Sequence, residues 1–287
     1  MSFTLWISKT TGTRRKGTRA REVREVLSSR ITAAALMEAL MSCPSTESAV
    51  DMKHTLGEHA FDVAGVQESE NGPVVGFVEA KSLVSGTVSE HIQKITAENL
   101  ISDSASLIDV LDVLSRRDWT FVLTGSAVNH ILTRADLGKP IARAYYSTLV
   151  SLLEMHLTYW VDSDYPRESW VAKLKEDRVT RARKLFDDHN KRGTGTKLVS
   201  CLQFCDKRDL FLERHGGLGN FGLDTTAAAT CLLRKAEKVR DSLAHGQAAI
   251  AGGMGWDELA KLFREVGAFL EKSDLLAESD RSNAVSA

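Results

Sequence analysis

The sequence predicts an α+β N-terminal region built as a pair of similar blocks, followed by an all-α helical bundle. Three observations predict this. Residues 31–137 alternate helical and extended apolar patterns and then repeat them. From Ile141 onward the apolar positions recur at helical spacing. Only 4 prolines and 7% aromatic residues argue against an all-β chain of 287 residues. That length, 43% apolar, suffices for two ordinary domains with packed cores.

In the first block Ala33–Met41 reads as helical, and Ser45–His59 as an amphipathic helix on Val50, Met52 and Leu56. Phe61–Val66 is a short strand pattern, Gly72-Pro73 a turn and Val74–Val78 a second strand. In the second block Ser104–Leu114 places Leu107, Val110, Leu111 and Leu114 on one helix face. Strands Thr120–Thr124 and Asn129–Leu132 flank the Gly125-Ser126 turn. The block ends, Gly76–Leu83 and His130–Leu137, overlay as a strand running into a capped helix start. A duplication of about 55 residues accounts for this.

These residues carry a resemblance. Helix, strand, strand and then Ile131-Leu132-Thr133-Arg134-Ala135-Asp136-Leu137 resembles the end of a cystathionine-β-synthase (CBS) domain. Ala60–Val66 is similar to the family's first core strand, so residues 31–140 resemble a tandem CBS pair. The resemblance implies clefts that bind ATP, ADP or AMP as regulatory ligands. Asp136 then holds the ribose hydroxyls and Thr133 contacts phosphate, with Arg134 able to neutralise charge beside the amides of a helix start. A second reading stays open, in which Thr133 and Asp136 cap that helix and do nothing more. In the first block Glu79 and Ser82 occupy the equivalent positions. A glutamate repels phosphate, so at most one site is expected.

In residues 141–287 helices are expected over Ile141–Val161, Glu168–His189, Lys197–His215, Thr225–His245 with Asp224 as N-cap, and Trp256–Glu278. Breaks are expected at Gly193–Gly195, Gly216–Leu223 and Ala251–Gly255. Five helices on short connections make a bundle. Its chemically loaded segment is Arg240-Asp241-Ser242-Leu243-Ala244-His245. Five positions on a regular helix separate Arg240 from His245 by about 140°. Gly246 permits a left-handed cap that reorients the last turn. An arginine and a histidine near one point suit a phosphodiester, one steadying charge and the other moving protons. The alternative is a plain helix C-terminus, with His245 on the last carbonyls and Arg240 on a surface acid.

The segment resembles the HEPN-superfamily signature, an arginine with a polar neighbour and a histidine four to six residues on. What this implies is a homodimeric, metal-independent endoribonuclease in which His245 is the acid/base, Arg240 steadies the phosphorane and Asp241 supports. RNA is then the substrate, no catalytic cofactor is needed, and a stress or phage-defence setting suits the arrangement. A non-catalytic regulatory or nucleic-acid-binding protein is the alternative.

The formal net charge of -1 conceals an uneven distribution. Residues 1–30 hold 8 Lys/Arg against 2 Asp/Glu, whereas residues 31–137 hold 6 against 15. The basic leader, with Arg14, Arg15, Lys16, Arg19, Arg21 and Arg24, is either a nucleic-acid arm or a solvated lead-in, helical in part or flexible. Cys43, Cys201, Cys205 and Cys231 form no C-x-x-C pair. With no spanning apolar stretch or signal pattern, a cytoplasmic protein with reduced thiols and no membrane partner is expected. His54, His59, His91 and His130 lack metal-ligand context, His189 and His215 sit at helix ends, and His156 reads as a core residue. Gly193–Lys197 is too short for a P-loop. Asp206–Asp209 reads as a solvated helix face.

Overall fold

The structure, a computed structural model, describes residues 19–69, 72–193, 196–214, 217–245 and 253–285. Two compact units result: Ser28–Ala142, and Met1–Leu27 together with Arg143–Ala287. The first is the α+β pair and the second is helical, as the patterning predicts.

In the α/β unit β1 (Glu38–Ala39) precedes two halves of one plan. The first half is β2 (Ser42–Pro44), α2 (Ala49–Glu58), β3 (Val63–Gln67) and β4 (Val74–Glu79). The second is β5 (Leu100–Ser102), α3 (Leu107–Arg116), β6 (Trp119–Thr124) and β7 (Ala127–Thr133). In each half a parallel strand pair brackets the helix and an antiparallel pair follows. Val63 pairs with Glu79 as Trp119 pairs with Thr133, and each antiparallel pair carries an irregularity at the corresponding place, Val66/Gln67 and Val122/Leu123. The duplication read from the sequence is therefore a duplication of register. Ser48 and Ser106 cap α2 and α3 by accepting from the amides of Asp51 and Asp109, which satisfies donors a helix start leaves free.

The helix expected over Ala33–Met41 does not form. Ala33–Ala35 is a single 3-10 turn, and the chain then extends through β1. The alanines favour a helix locally, but their amides are claimed elsewhere. Ala33 N–H donates to the Ala105 carbonyl, Ala34 N–H to that of Asp103 and Leu40 N–H to that of Asn129. β1 pairs antiparallel with β7 of the second half, whereas β2 pairs with β3 of the first. Gln93 repeats the exchange by bridging Phe77 of the first half before β5 joins the second. Val63, Phe77 and Phe121 are buried between the sheets, with the Phe77 and Phe121 rings edge-on at 5.1 Å.

The helical unit contains α1 (Ala20–Arg30) as far as Leu27, then α4 (Pro140–Asp164), α5 (Glu176–Lys191), α6 (Phe204–Leu212), α7 (Thr226–Ala244) and α8 (Trp256–Val285). The five C-terminal helices overlap their expected spans, but with three changes. The helix expected over Lys197–His215 is α6 alone, preceded by a separate 3-10 turn Leu198–Cys201 because Leu202 and Gln203 are extended. A 3-10 stretch, Pro166–Lys173, replaces the start of the helix predicted from Glu168. Thr225, not Asp224, caps α7, its hydroxyl accepting from the Ala228 amide. The described part of the leader does not stand alone. Arg19 pairs with Glu278 at 2.9 Å, Arg24 with Glu271 at 2.5 Å, and the Ala20 amide donates to Asp274 at 2.6 Å. Arg14, Arg15 and Lys16 lie outside the described residues. Phe211, Phe221 and Phe269 form the aromatic core, and Arg214 lies 4.5 Å from the Phe221 ring centroid. No described helix is long and apolar enough to cross a membrane.

Two glycine substitutions separate backbone packing from propensity. A Cβ at Gly76 meets Ile92 Cγ2 at 2.5 Å and the Gln93 carbonyl at 2.7 Å, so Gly76→Ala should cost about 1–3 kcal/mol. A Cβ at Gly57 in α2 meets nothing within 4 Å, so Gly57→Ala should add about 0.5 kcal/mol. Urea denaturation of both variants checks the contrast.

Candidate functional site

The α/β unit holds a cleft of about 450 Å³. Its walls come from the Glu38–Met41 run, the turn Ala60–Val63 after α2, Asp118 and Trp119 at the start of β6, and Ile131, Thr133 and Asp136 along and beyond β7. Leu40, Met41, Val63, Trp119 and Ile131 make an apolar floor suited to a flat ring. Ala60 sits at φ 53, a left-handed conformation that costs a non-glycine residue about 1–2 kcal/mol. It turns the chain sharply out of α2 and into the cleft wall.

Thr133 and Asp136 form a reciprocal capping box at the end of β7. Asp136 Oδ2 accepts from the Thr133 amide at 2.7 Å and from its hydroxyl at 3.0 Å, while Oδ1 pairs with Lys139 at 2.9 Å. Asp136 is only 5% exposed. A carboxylate offers about four acceptor directions, of which three are filled, and Asp136 is among the residues lining the cleft. Lys139 also binds Glu38 and the Leu36 carbonyl. Burial works against its charge, but the hydrogen bonds and charges of Glu38 and Asp136 outweigh that and raise its pKa above the ordinary lysine value.

Arg134 does not line the cleft. Its guanidinium closes the end of α3 by donating to the Leu114 and Ser115 carbonyls and pairs with Asp118 at 2.5 Å. The first half places Glu79 and Ser82 at the positions of Thr133 and Asp136. Glu79 pairs with Lys81, and the Ser82 hydroxyl donates to the Glu79 carbonyl at 2.7 Å. No carboxylate stands there in the role Asp136 fills in the second half. The sequence reading missed Glu38, Met41, Phe61, Asp62 and Trp119. The first two were hidden by the helix assigned over Ala33–Met41; Trp119, an aromatic opening a strand, was the visible signal.

At the other candidate site α7 stays regular through Ala244, and His245 follows as the C-cap at φ -89, its amide donating to the Asp241 carbonyl at 3.0 Å. Gly246, expected to turn the segment, lies outside the described residues. Arg240, Asp241 and His245 are exposed. Arg240 pairs with Asp241 at 3.2 Å and with Glu154 of α4 at 3.5 Å. The structure records no bond between Arg240 and His245.

Asp206–Asp209 corrects the reading of a solvated face. Asp206, Lys207 and Arg208 are buried, and each has a partner. Arg178 pairs with Asp206 at 2.7 Å, Lys207 with Glu154 at 2.8 Å, and Arg208 with Glu237 and Asp209. Charge-rich sequence looks like surface, but α6 lies against charges of α4, α5 and α7 that accept its own. His156 is a core residue as expected, 1% exposed, with Nδ1 2.6 Å from the Ser273 hydroxyl. Among the described residues no group of histidine, cysteine and carboxylate side chains is arranged to hold a metal. His215 lies outside the described residues.

No protein-family model matches the sequence, and no curated protein matches it. Solved structures do. The chain is similar to CBSX2, a CBS-pair protein from Arabidopsis thaliana, at 19% identity over 40% of this chain and 94% of that one, with a TM-score of 0.33. It is similar to CBSX2 in complex with AMP at 19% identity over 40% and 96%, with a TM-score of 0.34. It is also similar to the CBS domain of a bacterial CNNM/CorC-family Mg2+ transporter in complex with ATP, at 15% identity over 42% and 93%, with a TM-score of 0.34.

The charged network has a pH signature. Burial raises the Glu237 carboxyl above its ordinary value, against the pull of Arg208 and with the repulsion of Asp241 and Asp209 added. The folded chain therefore holds this proton to higher pH than the unfolded chain, and stability falls as pH rises through the window just above the ordinary carboxylate range. Urea midpoints taken from about pH 4 to pH 7 should show this decline in the wild type and a flatter one in Glu237→Gln.

Proposed function

We propose that this chain is an adenine-nucleotide-binding regulatory protein whose α/β unit acts as a CBS-type pair. The observation that carries the reading is the cleft at the end of β7, where an apolar floor adjoins the buried, hydrogen-bonded Asp136 and the Thr133 hydroxyl. A ring fits the floor and a ribose hydroxyl can donate to the open direction of Asp136. Thr133 and Asp136 are the ligand-contacting residues of the proposal; Arg134, bound to the end of α3, needs to move to reach a phosphate. One competent site is expected, because Glu79 and Ser82 stand in the first half. Calorimetric titration with AMP should show saturable binding that weakens about 2–10-fold in Thr133→Ala and about 10–100-fold in Asp136→Asn, the losses set by one neutral and one charged hydrogen bond. Circular dichroism confirms that the variants fold.

A finer reading adds activity: the helical unit is a metal-independent endoribonuclease, acting as a homodimer on RNA under nucleotide control. The exposure of Arg240, Asp241 and His245 at one end of α7 supports it, since these groups are open to a substrate while Lys207 and Arg208 are not. In the proposed step His245 moves protons as a ribose 2′-hydroxyl attacks the adjacent phosphate: the P–O5′ bond breaks, the 5′-oxygen leaves as a protonated hydroxyl, a 2′,3′-cyclic phosphate remains, and Arg240 steadies the charge that builds. Against it stands a non-catalytic regulatory role, favoured by the engagement of Arg240 with Glu154 and Asp241. Incubating bulk RNA with wild type and His245→Ala, with EDTA and with or without AMP or ATP, decides between them. The ribonuclease reading requires cleavage that the variant loses by at least about 100-fold; equal cleavage by both proteins discards it.

A further inference from the structure

We infer that the cleft selects its ligand by phosphate charge, taking adenosine at least as well as AMP and ATP least well. This rests on the reading of the cleft as an adenine-nucleoside site. Every lining residue with a formal charge is an acid: Glu38, Asp62, Asp118 and Asp136. Among the described residues no lysine, arginine or histidine lines it. The cations bound to these acids are already committed. Lys139 is divided among the Leu36 carbonyl, Glu38 and Asp136. Arg134 is held by two carbonyls of α3 and by Asp118. Lys81, whose charge reaches Asp62, is itself held by Glu79. Three such cations against five carboxylates leave the surroundings negative, and Asp62 is exposed.

A compact cavity of about 450 Å³ is about 10 Å across, comparable with the screening distance of about 8 Å at physiological salt. All four carboxylates therefore act on any charge placed in it. Adenosine brings none, and its ring and ribose use the floor and Asp136. Each added phosphate brings negative charge with no lining cation to receive it. The four charges of metal-free ATP against the surplus on the walls make its binding at least about tenfold weaker than that of adenosine.

The test is calorimetric titration of the full chain with adenosine, AMP and ATP in EDTA, at low and physiological salt, beside Asp62→Asn. Asp62 uses its main-chain carbonyl, not its side chain, to receive the Ala80 amide, so the substitution spares that bond. The expected result is adenosine bound at least as tightly as AMP, ATP at least about tenfold more weakly, and a gap that narrows with added salt and in Asp62→Asn. ATP bound as tightly as adenosine overturns the inference and leaves the nucleoside site standing. A gap indifferent to both salt and Asp62→Asn also overturns it, because the carboxylates are then not its cause. Failure of all three compounds to bind removes the nucleoside site and the inference with it.

Discussion

The α/β unit depends on an exchange of strand edges between its two halves. A three-stranded sheet leaves a row of amides and carbonyls unpaired at its edge. Here the segment that leads into the first half first serves the second: residues 38–40 pair with β7, and residues 42–44 then pair with β3. Gln93 does the reverse, bridging Phe77 before the chain enters β5. Each half is completed by backbone from in front of the other, so neither sheet closes alone. Phe77 and Phe121 meet in the space this leaves between the sheets.

The cleft follows from the same exchange. Glu38–Met41 forms one of its walls because that run crosses from one sheet to the other. β7 and its capping box line it beside that run, paired to it through Glu38 and Ile131, and Lys139 ties the two together by holding Glu38 and Asp136 at once. Asymmetry between the halves is therefore chemical rather than architectural. The register is duplicated, but Thr133 and Asp136 face a cleft whereas Glu79 and Ser82 turn to Lys81 and to a backbone carbonyl.

The helical unit shows a different economy. Its charges are drawn inward. Glu154 receives Lys207 and Arg240, Glu237 receives Arg208, and Arg178 reaches Asp206. Removing one partner from such a buried pair leaves an uncompensated charge and costs more than the pair contributes. Arg214 is held in the same manner, by Asp164 and by the rings of Trp160, Phe211 and Phe221. The reach of this network to Arg240 means that the exposed end of α7 is coupled to buried charge in α6.

By itself the sequence determined whatever depends on local periodicity. Leu107, Val110, Leu111 and Leu114 recur at helical spacing and are all buried in α3; the offset between the block ends reappears as register; and each of the five C-terminal helices overlaps its expected span, α5 and α6 starting seven or eight residues late. Tertiary structure decided whatever depends on partners distant in the chain. The alanines of residues 33–35 favour a helix, yet the carbonyls of Asp103, Ala105 and Asn129 draw the segment they open into a 3-10 turn and an extended wall. Asp206–Arg208 has a surface composition, yet oppositely charged groups on three other helices bury it. Arg134 sits between two cleft residues in the sequence, yet the free carbonyls at the end of α3 take its side chain. In each case a long-range hydrogen bond or ion pair, invisible to spacing, outweighs the local preference.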